Sequence, residues 1–159
     1  ATIGEGAIIR KGVIIRKGVI IKKGVIIGEG ATIGEWAIIG ERATIGEGAI
    51  IRERVIIEER IVIFPTAIIP RDTIINDQDD YMIIGPLGSR HSMLTLIREP
   101  FFLATGCFTG NENAFMANLN RDHPRDKYRD DYLVTILYAK QRWGIAAPVV
   151  QAANIKRGD

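Results

Sequence analysis

Cys107, His91 and His123 are the residues of this chain best suited to covalent or proton-transfer chemistry. A thiol beside an imidazole makes a nucleophile and its base, and the GPLGSR segment at 85–90 has the composition of a small anion-binding turn. Cys107 with His91 is therefore the candidate pair. Against it, the neighbour Phe108 fits a buried structural cysteine, because a reactive thiol needs an electropositive, partly exposed setting. His123 precedes Pro124 and reads as a loop residue. A single cysteine gives no internal disulfide and no cysteine-based zinc site. The expectation is no catalytic residue, no cofactor site and no metal site.

The elements that would position such groups come in two grammars. Of the 159 residues, 47% are hydrophobic but only 7% aromatic, and Ile, Val and Ala make up most of the apolar share. Isoleucine recurs every six residues from Ile3 to Ile75 without a gap, thirteen times. Two residues before each stands a small or β-branched residue, such as Ala7, Val13 or Ala31. Side chains alternate along a strand, so these two positions share a face and the residue between them points the other way. The three residues after each Ile, often Gly-Glu-Gly or Arg-Lys-Gly, form a corner. A helix is excluded, since a period of six misses the helical stripe.

Residues 1–76 resemble the hexapeptide-repeat, left-handed parallel β-helix family on this pattern of aliphatic, small and glycine positions. The resemblance implies three hexads per triangular coil of eighteen residues, with left-handed winding and a little over four coils spaced about 4.8 Å apart. Hexads eighteen residues apart then stack. Lys11 falls beneath Glu29 and Lys17 beneath Glu35, so opposite charges meet at the corners. Such exposed pairs are worth about 0–1 kcal/mol each and tune register more than stability.

The outward residue of each hexad is also apolar. Ile20, Ile38, Ile56 and Ile74 line one side, and Ile8, Ile26, Ile14, Ile50 and Ile68 lie on the others. Contiguous apolar sides mark contact surfaces. These nine residues are the expected oligomer interface. The resemblance implies a side-by-side homotrimer, the closed arrangement that symmetry favours.

The net charge of +2 hides an asymmetry. Residues 1–27 carry six basic groups against one acidic, a local +5, and residues 28–80 carry a net −6. Arg10, Lys11, Arg16, Lys17, Lys22 and Lys23 are the candidate contact for an anionic partner, although charge runs are more often solvated faces. No aromatics interleave with them, so specific nucleic-acid binding is not expected. No run of about 18 uncharged apolar residues occurs, so no membrane insertion is expected either.

After Ile75 the repeat stops. Tyr81–Ile84, Ser92–Arg98 and Phe101–Phe108 read as strands, Asn111 or Thr109 as the cap of a short helix, and Arg125–Trp143 as an amphipathic helix. The expected fold class is mainly β: a left-handed parallel β-helix over 1–78, a small α+β module of β-β-β-α-α order over 79–143, and an extended tail over 144–159. The segments GPLGSR, TGCFTG at 105–110 with Phe115, and YRDDYLVTILYAK at 128–140 resemble a small module of bacterial and phage-encoded proteins. The second cysteine expected near Cys107 is missing, and the resemblance implies no activity.

Many hexapeptide-repeat proteins are acyltransferases that take acyl groups from coenzyme A or acyl carrier protein. They place a histidine base on a coil or an inserted loop. Residues 1–80 contain no histidine, and no loop interrupts the repeat. The zinc carbonic anhydrases of this fold need three histidines, and the chain has two. The expectation is a non-enzymatic structural protein, a trimeric spacer presenting or anchoring the second module. A virion or surface appendage is its setting and other structural proteins are its partners. The alternative is an acyltransferase.

Overall fold

The computed structural model describes residues 1–146. The expected tail at 144–159 lies, from residue 147 on, outside the described residues. The chain divides into two compact units, Ala1–Ile83 and Ile84–Asp159.

In the first unit each hexad contributes a two-residue strand, from β1 (Thr2–Ile3) to β13 (Ile74–Ile75). Pairing is parallel at a spacing of eighteen, as in Ile38↔Ile56↔Ile74, and closes three sheets of five, four and four strands. The inward Ile of every hexad from Ile21 to Ile75 is at most 1% exposed, and Val19, Val25 and the alanines from Ala31 to Ala67 are fully buried. β-Branched residues suit this pleated stack, and the small residue two places earlier leaves room for each Ile. Two of the expected corner ion pairs are Lys11 Nζ at 3.3 Å from Glu29 Oε1 and Lys17 Nζ at 3.9 Å from Glu35 Oε2. Arg54 and Asp72 add a bidentate pair at 2.6 and 3.0 Å.

Corner backbones explain the glycines and their exceptions. At Gly40 a Cβ would stand 2.5 Å from the Glu58 carbonyl carbon of the next coil, so close approach requires glycine there. The last corner residue adopts a left-handed backbone, with glycine in the early coils but Trp36, Arg42, Arg54, Arg60, Thr66 and Asp72 later. Thr66, β-branched at φ 65°, is the most strained of these. Thr66→Gly should therefore raise stability by about 1 kcal/mol, the relief of a left-handed L-residue less the extra freedom of glycine when unfolded. Gly48→Ala, one coil below at φ 67°, should lower it. Urea midpoints that move the same way in both variants would contradict this account.

The stack has a built end. A short 3₁₀ turn (Gln78–Asp80) is capped by Asp77, and Asp80 Oδ2 accepts from the Asn76 and Asp77 N–H groups at 2.9 and 3.0 Å. The Gln78 carboxamide accepts from Val62 N–H at 2.8 Å and donates to Val62 C=O at 2.7 Å. Tyr81 Oη donates to the same carbonyl at 2.7 Å and accepts from Phe64 N–H at 3.0 Å. The last strand of that sheet, Val62–Ile63, is thus satisfied on its outer edge by side chains.

The second unit carries an antiparallel sheet in the order β14 (Tyr81–Leu87), β15 (Ser92–Ile97), β16 (Phe102–Ala104), β17 (Thr109–Asn111). Two helices follow, α1 (Glu112–Asp122) and α2 (Lys127–Trp143). The order is β-β-β-β-α-α, because the segment expected as one strand over 101–108 breaks in two. Thr105 Oγ1 accepts from the Phe108 and Cys107 N–H groups at 3.1 and 3.4 Å, and Thr105 N–H donates to Phe108 C=O at 2.8 Å. A threonine hydroxyl competing for backbone groups turns the chain where β-propensity alone would continue it. Leu94, Leu96, Leu103, Leu133 and Ile136 form the core. Asn111 caps α1 through Ala114 N–H, and Gly144 closes α2 in a left-handed conformation.

Candidate active site

The break at 105–108 decides where the cysteine goes. It sets Cys107 at a tight turn with its sulfur exposed, 3.7 Å from Thr105 Oγ1. The expectation of a buried structural cysteine is therefore wrong: the hydrophobic neighbour Phe108 turns to pack edge-on against Phe115 at 5.4 Å, while Cys107 stays outside.

Cys107 lines a cleft of about 410 Å³ in the second unit. Its apolar wall is Phe108, Phe115, Leu119 and Tyr132, and its polar rim includes Ser89, Arg90, Thr105, Asn118, Asp122 and His123. That size and mixture suit a small organic ligand. The pair expected from sequence does not form. His91 is exposed at φ 50° in the reversal between β14 and β15 and is absent from the cleft wall, which takes Ser89 and Arg90 from that reversal.

The histidine that reaches the cleft is His123. It ends α1, where its N–H donates to Leu119 C=O at 2.8 Å. Its Nδ1 lies 2.7 Å from Asp126 Oδ2. Asp126 is the N-cap of α2, its Oδ1 accepting from the Tyr128 and Arg129 N–H groups at 3.1 Å each. The His123 hydrogen bond, aided by those amides, holds the Asp126 carboxyl below its ordinary range. A carboxylate can only accept, so Nδ1 is the nitrogen that donates to Asp126 and Nε2 is the one left for another partner. Rings of Tyr128 and Tyr132, with centroids 5.8 and 6.5 Å away, flank the imidazole. A carboxylate-oriented imidazole on a cleft wall is the arrangement of a general base. Sequence reasoning passed over it, although the spacing His-Pro-Arg-Asp ahead of an amphipathic run marks Asp126 as a cap within reach of His123.

Tyr132 ties the cleft together. Burial raises its hydroxyl above the ordinary tyrosine range, the negative charge available to Cys107 and that of Asp131 add to this, and Arg90 opposes it. Arg90 also helps the neighbouring Arg121 hold Asp122 in its charged form.

The residues expected on the prism surface lie as follows. Ile8, Ile14, Ile20, Ile26 and Ile74 are exposed, Ile38, Ile50 and Ile56 are half-buried, and Ile68 is buried. Arg10, Lys11, Arg16, Lys17, Lys22 and Lys23 are all exposed at corners. No described helix is long and apolar enough to cross a membrane.

Residues 1–76 are a hexapeptide-repeat, left-handed parallel β-helix. Within them, residues 1–35 match the family model described as bacterial transferase hexapeptide (six repeats). No curated protein matches the chain. Among solved structures, the chain is similar to a histidine-to-alanine variant of GDP-perosamine N-acetyl transferase from Caulobacter crescentus in complex with CoA and GDP-perosamine. Identity is 21% over 46% of this chain and 44% of that one, with a TM-score of 0.32. A histidine-to-asparagine variant of perosamine N-acetyltransferase from the same organism, also with CoA and GDP-perosamine, gives 20% identity over 47% and 51%, with a TM-score of 0.22. The chain spans about half the length of these structures.

The transferase repeat match overturns the expectation of a non-enzymatic structural spacer, and the virion or appendage setting goes with it. That expectation rested on the lack of a histidine and of pocket loops in the coils, on their apolar sides and on the resemblance of the second module. The family match ends at residue 35 and lends no support to the resemblance of the second module.

Proposed function

We propose that the chain is a hexapeptide-repeat acyltransferase that moves an acyl group from a coenzyme A or acyl-carrier-protein thioester to an amine or hydroxyl acceptor. The observation that carries this reading is His123, fixed by Asp126 on the wall of an open cleft. It supplies the base that acyl transfer needs and the coils lack. In this reading His123 Nε2 takes the acceptor proton as the acceptor attacks the thioester carbonyl. The transferase character of the matched repeat supports the same chemistry.

A saturable binding isotherm for acetyl-CoA, and acetyl transfer to an amine acceptor slowed about 10²- to 10⁴-fold by His123→Ala, are expected. A flat isotherm for acetyl-CoA and for acyl carrier protein would sink the reading. The exposed corner cations Arg10, Lys11, Arg16, Lys17, Lys22 and Lys23 are the surface we assign to an anionic partner.

The assembly we assign is a homotrimer closed through the outward isoleucines. Exposure of Ile8, Ile14, Ile20, Ile26 and Ile74 at 37–50% leaves apolar sides that a companion chain would cover. Ile38→Lys combined with Ile56→Lys should reduce the sedimenting mass to that of one chain. An unchanged mass would refute the assignment.

A further inference from the structure

The GPLGSR segment, with the composition of an anion-binding turn, supplies Ser89 and Arg90 to the cleft of the second unit. Gly88 in that reversal is buried, with a backbone φ of 72°, and a Cβ there would collide with the Tyr132 hydroxyl oxygen. The Tyr132 hydroxyl therefore lies directly on the reversal, two residues along the chain from Arg90. Neither this hydroxyl nor the Arg90 guanidinium hydrogen-bonds or ion-pairs with any described residue. Burial keeps the tyrosine protonated, so both groups are donors.

Beyond this donor corner the wall is a run of rings. Phe115 stands edge-on to both Tyr132 and Phe108, with centroids 5.4 Å apart in each pair. Phe115 and Leu119 are buried and hold the wall in place. Rings packed edge to face present a surface on which a further ring gains more than its burial alone. The charge on the rim limits the anion. Arg90 brings one positive charge, and Asp122, ion-paired with Arg121, puts a negative charge on the same rim. That balance suits a singly charged carboxylate, which a guanidinium fork matches in shape, and disfavours a phosphate dianion.

We propose that the cleft binds a small aromatic carboxylate, its carboxylate held by Arg90 and the Tyr132 hydroxyl and its ring seated on Phe108 and Phe115. In the acyltransferase reading above this ligand is the acceptor, through an amine or hydroxyl that it also carries; that last assignment rests on the reading, and the binding site does not.

Calorimetry on the full chain with 3-phenylpropanoate as the probe tests the site. Saturable binding is expected, weakened about 10- to 100-fold when the carboxylate is replaced by the neutral amide, the loss of a charge-assisted hydrogen bond. Arg90→Gln should weaken the carboxylate to a similar extent and leave the amide unchanged, which damage to the fold would not do. Tyr132→Phe keeps the ring and should weaken the carboxylate about 10-fold. Pentanoate binding as tightly as 3-phenylpropanoate would overturn the aromatic seat, and tighter binding of phenyl phosphate would overturn the choice of carboxylate. A flat isotherm for 3-phenylpropanoate overturns the site and leaves the acyltransferase reading intact. If the probe binds as expected while acetyl-CoA and acyl carrier protein do not, the site stands and the acceptor role falls.

Discussion

Ile51→Ala is expected to lower the stability of the repeat by about 3–5 kcal/mol, the upper part of the range for deleting a buried aliphatic side chain. Ile51 is fully buried and stacks in register between Ile33 and Ile69. Those neighbours are held at coil spacing by the backbone ladder, so they cannot close on the space left behind. Because each coil touches only the coils next to it, the loss acts on two interfaces at once. Ile3→Ala removes the same atoms from a residue that is 52% exposed and pairs only with Ile21, and should cost less than about 1 kcal/mol. Chemical denaturation of both variants is the check. Equal losses would show that the stack does not work by burial.

The second large effect belongs to Lys140. Its ammonium is almost wholly enclosed, bonded to Glu112 Oε2, 3.3 Å from Ala146 C=O and 5.5 Å from the Phe101 ring centre. Glu112 is itself only 12% exposed, and its Oε1 accepts no hydrogen bond among the described residues. Lys140→Met fills much of the same space but strands a buried carboxylate, and should cost about 3–5 kcal/mol. Adding Glu112→Leu should recover most of that, because an apolar pair of similar volume removes both charges. Thermal unfolding of the two single variants and the double one closes the cycle. A double variant less stable than Lys140→Met would mean that Glu112 is held by something other than Lys140.

Much of the first unit could be read from the chain because its rule is periodic. Ile3 to Ile75 at a spacing of six determines strand, face and stacking together, and the Lys11–Glu29 and Lys17–Glu35 pairs follow from counting eighteen. The second unit obeys no such rule. There the outcome turned on single competing hydrogen bonds: Thr105 broke a strand by capturing two amides, and so moved Cys107 from an assumed core to a cleft. His123 was legible as a histidine but not as one held by a carboxylate, since that depends on Asp126 serving at once as a helix cap and as its partner. His91, the candidate base read from the sequence, lies in the reversal between β14 and β15 and is absent from the cleft wall. The functional reading leaned on the lack of histidine and of pocket loops in the coils, which carries no information about the second unit.

The side-chain cap on Val62 gives the repeat a definite length. A parallel stack with an open edge is a template on which any extended segment can continue the pattern, whether from its own chain or another, and such growth has no natural limit. The Gln78 carboxamide offers one donor and one acceptor to Val62, as a further peptide unit would, but it belongs to a side chain and hands nothing on. Gln78 and Tyr81 thus act as a chain terminator at that edge, the difference between a bounded scaffold and a fibre seed.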